Sequence, residues 1–175
     1  MLKIRHIAKP KNVSSNFKKT TVKNINSETE FENLIRQIIE QDILTKKPDL
    51  LLLTNKKAVD IVICKNKPTP TLFFLEIKYH KNNHGRLGFG QGKGGGFQPE
   101  ILTKRPDFFE TNLRWILGSE DSEHFYFVNN IELSKHIQGG SVGKKFNGIK
   151  KSLFKEISGI DRQQLTDNLN AWLNS

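Results

Sequence analysis

The chain has 175 residues, which is enough for one domain with its own hydrophobic core and leaves little room for a second. Its single cysteine, Cys64, excludes an internal disulfide bond and a zinc site built from several cysteines. The chain carries 28 lysines and arginines against 18 acidic residues, so its formal net charge is +10. Because the sequence shows no long apolar run and no secretory signal pattern, we expect a soluble, cytoplasmic protein.

The positive charge is concentrated in three stretches of the sequence. Residues 1–27 and residues 77–99 contain lysines and arginines but no acidic residue, and the third stretch is GGSVGKKFNGIKKSLFK (139–155). Such clustering favours a polyanionic partner, most often nucleic acid, because contacts with phosphates release counterions. The alternative is that the protein surface is basic only for solubility. An anionic membrane is a less favoured partner than nucleic acid.

The first predicted element is an amphipathic helix over residues 28–45. Ser27 and Glu30 fit a capping box, in which each side chain accepts a hydrogen bond from the other residue's backbone N–H. Apolar residues then recur at helical spacing until Pro48 ends the pattern. They are Phe31, Leu34, Ile35, Ile38 and Ile39. We interpret residues 1–27, which precede the helix, as a basic N-terminal arm.

Three apolar runs follow, and their turn residues predict an antiparallel meander. They are LLLLT (50–54), AVDIVIC (58–64) and TLFFLEIKY (71–79), and a glycine-rich loop over residues 81–98 comes after them. Pro99-Glu100 and Pro106-Asp107 are typical of helix starts. After the second of these, a stripe of apolar residues predicts a helix that ends at Gly118. That stripe consists of Phe109, Leu113, Ile116 and Leu117.

The C-terminal part of the sequence predicts one more strand and one more helix. HFYFV (124–128) is typical of a strand, and residues 162–173 carry an apolar face at helical spacing. The complete order of elements predicts a single α/β domain over residues 1–175. In this fold, helices sandwich a mixed β-sheet that contains the antiparallel meander.

Three charged residues, Asp60, Glu76 and Lys78, interrupt the second and third apolar runs. Side chains alternate along a strand, so Glu76 and Lys78 point to the same face of the sheet. If the turn is centred near residue 67 or 68, antiparallel pairing places Asp60 across from Leu75 or Glu76. We therefore expect the three charges to meet, and buried charges must be paired or bind a metal.

Two adjacent carboxylates and a lysine suit the hydrolysis of a phosphodiester bond. The carboxylates repel each other, and a hard divalent cation such as Mg²⁺ relieves that repulsion through oxygen ligands. The lysine can orient or help to deprotonate an attacking water, or neutralise charge that develops on the phosphate. The alternative is a cross-strand ion pair that closes one end of the sheet and has no role in chemistry.

Asp60, followed by Glu76-Ile77-Lys78 on the next strand, resembles the signature of the PD-(D/E)xK nuclease superfamily. In size and layout the chain is most similar to small type II restriction endonucleases, over roughly residues 28–130. The resemblance implies a restriction-endonuclease-like core and Mg²⁺-dependent, sequence-specific cleavage of double-stranded DNA. It also implies that Asp60 and Glu76 bind the metal, that Lys78 is catalytic, and that a homodimer cuts both strands.

Two other functions stay open at this point. One is a structure-selective nuclease, such as a junction resolvase, that uses the same site on branched DNA. The other is a basic nucleic-acid-binding module in which the three charges are only structural.

Two further acidic residues bear on the metal site. Pro48-Asp49 matches the literal dipeptide of the motif, but a short loop between the first two strands would put Asp49 beside residue 62 or 63. That position is about 10 Å from Glu76, so we favour Asp60. The superfamily often adds an acidic residue from the first helix. Glu32 flanks the apolar stripe and is our candidate catalytic residue there, whereas Glu40 should be solvated.

The glycine-rich loop matches neither a P-loop nor a dinucleotide-binding loop. Glycine lets a backbone approach another surface closely, so the loop is a candidate for DNA contact, in which arginine reads guanine and glutamine reads adenine. The alternative is a connector with solubilising charges. The candidate DNA-binding residues are Lys81, Arg86, Gln91, Lys93 and Gln98 of the loop and Lys144 and Lys145 of the third basic stretch.

Overall fold

A five-stranded mixed sheet forms the centre of the fold. The computed structural model describes residues 22, 25–53, 59–82, 86–88, 106–107, 109–138 and 148–175. The sheet contains β1 (Leu50–Leu53), β2 (Ile61–Lys65), β3 (Thr71–His80), β5 (Leu113–Ser119) and β6 (Tyr126–Val128), in the order β1-β2-β3-β5-β6. β5 runs parallel to β3, and all other neighbours are antiparallel. The predicted α/β class, the meander β1-β2-β3 and the strand near residue 126 are therefore confirmed.

A second, three-stranded antiparallel sheet was not predicted. It contains β4 (Arg86–Gly88), β7 (Ile137–Gln138) and β8 (Gly148–Lys150), in the order β4-β8-β7. β4 falls within the predicted glycine-rich loop, and β8 falls within the third basic stretch. The second sheet therefore joins two of the basic stretches of the sequence.

Helix α1 (Glu28–Ile38) confirms the first predicted helix, and π-helical turns over Ile39–Leu44 continue it. The Ser27 side chain accepts a hydrogen bond from the Glu30 backbone N–H at 3.1 Å, as the predicted cap requires. The Glu30 carboxylate, however, accepts from the Asn26 N–H at 2.8 Å rather than from the N–H of Ser27. The predicted capping box thus forms only in part, because the donor to the Glu30 carboxylate is Asn26, one residue before Ser27.

The remaining helices are α2 (Asn130–Ser134), α3 (Leu153–Glu156) and α4 (Arg162–Asn174). α4 confirms the last predicted helix, and it begins with a complete capping box between Asp161 and Gln164. In the part of the chain that the structure describes, no helix has both the length and the apolar character needed to cross a membrane.

Each face of the five-stranded sheet packs against its own apolar core. Helices α1 and α4 cover one face, which presents Ile77 and Tyr79 of β3. Val22 and Ile25, at the end of the predicted basic arm, are also buried in this core, whereas residues 1–21 and 23–24 lie outside the described residues. On the other face, side chains from α2, α3 and β8 pack against β5 and β6.

The predicted helix after Pro106 is wrong, because Leu113–Ser119 is strand β5. β5 pairs with β3 over seven positions, from Phe74 opposite Leu113 to His80 opposite Ser119. A strand that is buried on both faces is apolar at nearly every position, so it also satisfies the spacing of a helical stripe. The other predicted helix start, Pro99-Glu100, lies outside the described residues.

Gly118 of β5 provides a test of how tightly the first core is packed. A Cβ atom at this position would lie 2.6 Å from Cζ of Phe31 and 3.0 Å from Cδ2 of Tyr79. We expect Gly118→Ala to lower the free energy of unfolding by about 1–3 kcal/mol, because overpacking displaces neighbouring rings. Urea denaturation would measure the change. In a Phe31→Leu background, which removes the clashing ring, the loss should be smaller, and an equal loss in both backgrounds would contradict this account.

Candidate active site

The candidate site lies along one edge of β3. The register pairs residues 71–75 of β3 with β2, and β2 begins at Ile61, opposite Leu75. Residues 76–80 pair with β5 on one side. On the other side no strand within the described ranges pairs with them, and we call this side the open edge of β3.

Asp60 directly precedes β2, and extension of the register places it beside Glu76. Its Oδ2 atom accepts a hydrogen bond from the Ile77 backbone N–H at 2.7 Å. A longer β2 would pair with this N–H group. The Asp60 carboxylate therefore takes the place of the missing strand as the hydrogen-bond acceptor. The guanidinium of Arg36 on α1 donates to the backbone carbonyl of Asp60, which fixes this residue from the helix side as well.

The ammonium group of Lys78 lies among carboxylates at the open edge. Its Nζ atom is 3.2 Å from Oε1 of Glu28 and 4.0 Å from Oδ2 of Asp60. It also donates to the Ile77 carbonyl oxygen at 3.1 Å. Only 7% of Lys78 is exposed, so most of its hydration has been replaced by these contacts.

These surroundings decide the charge of Lys78. Burial alone lowers the pKa of a lysine, but three neighbouring carboxylates outweigh burial and raise the pKa of Lys78 above its ordinary value of 10.5. They are Glu28, Asp60 and Glu76. Lys78 is therefore a cation at neutral pH. It is suited to donate hydrogen bonds and to stabilise negative charge, and it is not suited to take a proton from water.

Glu76 and Glu32 complete the acidic surroundings. Glu76 is fully buried and lies opposite Trp115 of β5 in the sheet register. Glu32 is half-buried, and its pKa is raised by burial and then by the negative charges of Asp60 and Glu28. The structure thus brings Asp60 and Lys78 within electrostatic reach of Glu32, and Glu76 within reach of Lys78.

Glu28 is a member of the site that the sequence analysis missed. Besides its ion pair with Lys78, its Oε2 atom accepts from the Tyr79 backbone N–H at 3.5 Å, so it too covers the open edge. One signal was present in the sequence. Glu28, Glu32 and Arg36 recur every four residues, which places them in one line along α1 beside the apolar stripe.

Asp49 lies far from this site, and its predicted position is wrong. The register pairs Leu50 with Lys65, and the Asn66 backbone N–H donates to the Asp49 carbonyl at 2.9 Å. Asp49 is therefore at the opposite end of β2 from Asp60. The predicted position fails because residues 54–60 connect β1 to β2, which is longer than the short loop on which the prediction depends.

The candidate DNA-binding residues are only partly described. Lys81 is half-buried and follows β3 directly, and Arg86 is the first residue of β4. The others lie outside the described residues: Gln91, Lys93, Gln98, Lys144 and Lys145.

The donor set can be compared with the needs of a magnesium ion. Over the described ranges, no three His, Cys, Asp or Glu side chains are grouped closely enough to hold a metal by themselves. Mg²⁺ commonly uses one or two protein carboxylates and completes its shell with water and substrate phosphate. Asp60, directly before β2, lies beside Glu76 of β3, so these two carboxylates fit that requirement.

No protein-family model matches this sequence, and no curated protein matches it significantly.

Glu32→Gln is expected to stabilise the protein at neutral pH. Burial, together with Asp60 and Glu28, raises the pKa of Glu32 above 4.5, so its ionised form is unfavourable in the folded state. After allowance for solvent screening, we expect the free energy of unfolding to rise by less than about 1 kcal/mol at neutral pH. Urea denaturation across a pH series would measure it.

The pH dependence of this effect has a defined sign. Because the pKa of Glu32 is higher in the folded state, its contribution to stability is most favourable at low pH and declines as pH rises through the raised pKa. The advantage of Glu32→Gln should therefore disappear towards about pH 4. Glu40→Gln, at an exposed position of the π-helical turns, is the matched control and should have no effect. Equal effects of the two substitutions would contradict the burial of Glu32.

Proposed function

We propose that the protein is a Mg²⁺-dependent endonuclease that hydrolyses phosphodiester bonds of double-stranded DNA. Within the PD-(D/E)xK superfamily that its motif resembles, the proposed activity is that of a type II restriction enzyme. The observation that carries the proposal is the convergence of Asp60, Glu76 and Lys78 at the open edge of β3. A first helix packed on an antiparallel meander, as α1 packs here, also agrees with the restriction-endonuclease-like core.

Asp60 and Glu76 would hold the metal. When bound, Mg²⁺ would supply positive charge against the negative charge that develops on the phosphate. The hydrogen bond from the Ile77 N–H fixes the orientation of the Asp60 carboxylate before any substrate arrives. Such preorganisation matters because a group already in position costs no reorganisation during the reaction.

Lys78 would stabilise the transition state as a cation. An ammonium group has three N–H donors. Glu28 and the Ile77 carbonyl each accept one of them. The 4.0 Å from Nζ to Asp60 Oδ2 is longer than a hydrogen bond, which leaves the third donor for an attacking water or a phosphate oxygen. In this scheme Glu28 is a positioning residue, because it acts only through Lys78.

The net charge of +10 supports DNA as the substrate, since lysines and arginines that neutralise phosphates provide most of the affinity of such proteins. A homodimer would present two copies of the site to the two strands of a symmetric sequence. This part of the proposal depends on analogy with the superfamily.

Cleavage of long unmodified linear duplex DNA tests the proposal. With Mg²⁺ we expect the wild-type protein to yield discrete fragments on a gel, and EDTA should abolish them. Asp60→Asn is the most informative variant, because asparagine keeps an oxygen that accepts from the Ile77 N–H but removes the negative charge. We expect Asp60→Asn and Lys78→Ala each to lower the cleavage rate at least ~100-fold.

Two controls separate loss of chemistry from loss of structure. Lys78→Ala leaves the buried Glu76 without the adjacent cation and is expected to cost about 3 kcal/mol of stability, so its folding must be verified by circular dichroism. Lys46→Ala removes an exposed lysine outside the site and should cut like the wild type. Linear and branched duplexes that both stay intact with Mg²⁺, despite measurable binding, would overturn the nuclease proposal and favour a binding module. Cleavage of branched DNA alone would assign a junction resolvase.

A further inference from the structure

Most of the large apolar side chains that the protein exposes lie on one face of the five-stranded sheet. Within the described ranges there are five such side chains, and four of them share this face. The four are Leu51 (52% exposed), Leu53 (39%), Leu72 (44%) and Phe109 (43%). The fifth, Ile131, lies on α2. Scattered apolar residues are normal on a protein surface, whereas a contiguous group of them marks an interaction site.

The strand register joins the exposed residues into two apolar rows across β1, β2 and β3. The first row is Leu51, Cys64 and Leu72, and the second row is Leu53, Val62 and Phe74. Phe109 extends the second row, because its ring centroid is 5.7 Å from that of Phe74. The alternate residues of these strands point the other way, into the core beneath α1 and α4. We call the two rows, together with Phe109, the apolar patch.

The composition of the apolar patch limits what can cover it. None of its side chains is charged, so the patch offers nothing to a phosphate backbone. None of them belongs to the core that α2, α3 and β8 form over β5 and β6. The chain as a whole carries a net charge of +10, so two copies repel each other wherever their basic surfaces meet. The uncharged patch is a surface through which they can approach without that repulsion.

β1 forms one edge of the sheet, and its outer side presents backbone hydrogen-bonding groups. The Asn66 N–H donates to the Asp49 carbonyl at 2.9 Å where the β1-β2 ladder begins. In an antiparallel ladder, residues bonded to the partner strand alternate with residues that point away from it, so the N–H and C=O of Leu52 point outwards. No strand in the described part of the chain pairs with this side. β1 consists of four leucines and lacks the lysine or proline that commonly protects an edge strand.

Antiparallel pairing of β1 with β1 of a second copy satisfies these backbone groups. Under two-fold symmetry Leu52 sits opposite Leu52 of the second copy, and each N–H donates to the other carbonyl. Leu51 then faces Leu53 of the second copy, so the rows of one patch continue directly into the rows of the other. The assembly is closed at two copies, because both use the same strand and no free edge remains at β1.

We propose that the protein is a symmetric dimer in which β1 pairs with β1 of a second copy, with Leu52 at the two-fold axis and the two apolar patches side by side. The edge strand and the patch indicate a second copy by themselves. The use of the dimer rests on the proposed function. Asp60 and Glu76 continue the alternation of Val62 and Phe74, which places the candidate site on the same face as the patch. Because the two-fold axis is perpendicular to the sheet, one duplex can contact both copies of the site.

Size-exclusion chromatography with light scattering measures the mass of the protein in solution, and we expect twice the 20.1 kDa of the chain. Leu51→Lys puts a charge into the interface of each copy and should raise the Kd of the dimer at least about 100-fold. Since Leu51 is 52% exposed, the folded monomer should accept the lysine, which circular dichroism checks. Ile131→Lys is the matched control, because it makes the same change at an exposed position of α2 and should leave the dimer intact.

Disulfide cross-linking tests the register and does not depend on the Leu51→Lys variant. Cys64→Ser removes the single native cysteine, and Leu51→Cys and Leu53→Cys are then made as separate proteins in that background. Directly opposed residues that flank a hydrogen-bonded pair have Cα atoms about 4.5 Å apart, which a disulfide can span. Identical positions of the two copies lie on the diagonal, about 7–8 Å apart. On oxidation, the mixture of the two proteins should therefore form covalent dimers faster than either protein alone.

Three results would overturn the proposal. The first is a wild type that stays monomeric at every concentration up to its solubility limit, which would leave β1 to a different kind of partner. The second is a dimer whose Kd does not change in Leu51→Lys. The third is cross-linking that is no faster in the mixture than in Leu51→Cys or Leu53→Cys alone.

The cleavage assay distinguishes this proposal from the nuclease proposal. A dimer that Leu51→Lys dissociates, but whose wild type cuts no DNA in Mg²⁺, would support the interface and overturn only the nuclease. Cleavage by a wild type that is monomeric under the assay conditions and at higher concentrations would overturn only the interface.

Discussion

The candidate site depends on one interaction, the compensation of the buried ammonium of Lys78 by carboxylates. The ammonium would not be tolerated alone, because a buried charge without a counter-charge costs several kcal/mol. The geometry that brings them together comes from a difference in strand length. β3 continues five residues beyond its pairing with β2, and the carboxylates of Asp60 and Glu28 accept from the backbone N–H groups of Ile77 and Tyr79 on this open edge. The same carboxylates thus accept hydrogen bonds from the backbone of β3 and compensate the charge of Lys78.

The balance of charges at this edge is not the one that stability alone would favour. Four carboxylates lie near two cations, Lys78 and Arg36. One of the four, Glu32, has a raised pKa because it is partly buried and because Asp60 and Glu28 are close to it. Structures usually avoid such crowding, and sites that bind cations or perform chemistry are where it is retained. The purely structural alternative, a simple cross-strand pair, would need one carboxylate for Lys78. The surplus of negative charge therefore favours the metal-binding interpretation.

The sequence predicted the elements whose pattern is local. Helix α1, helix α4 and the meander follow from hydrophobic spacing and turn residues. A turn near residue 67 or 68 predicted Asp60 across from Leu75 or Glu76, and the register of β2 and β3 selects Glu76. Features that depend on tertiary packing were not predictable in this way. The sequence of β5 is apolar on both faces of the strand, so it also fitted a helical pattern. The strands of the second sheet have only two or three residues each, which is too short for a recognisable pattern. The contact of Glu28 with Lys78 depends on where the start of α1 meets the sheet.

The pairing of β4 with β8 joins parts of the chain that are about 60 residues apart in sequence. Closing a loop of that length costs entropy, and three residue pairs contribute little towards it beyond the burial of Ile149. The second sheet therefore depends on the five-stranded sheet against which Ile149 packs, and we expect it to be among the first parts of the protein to open.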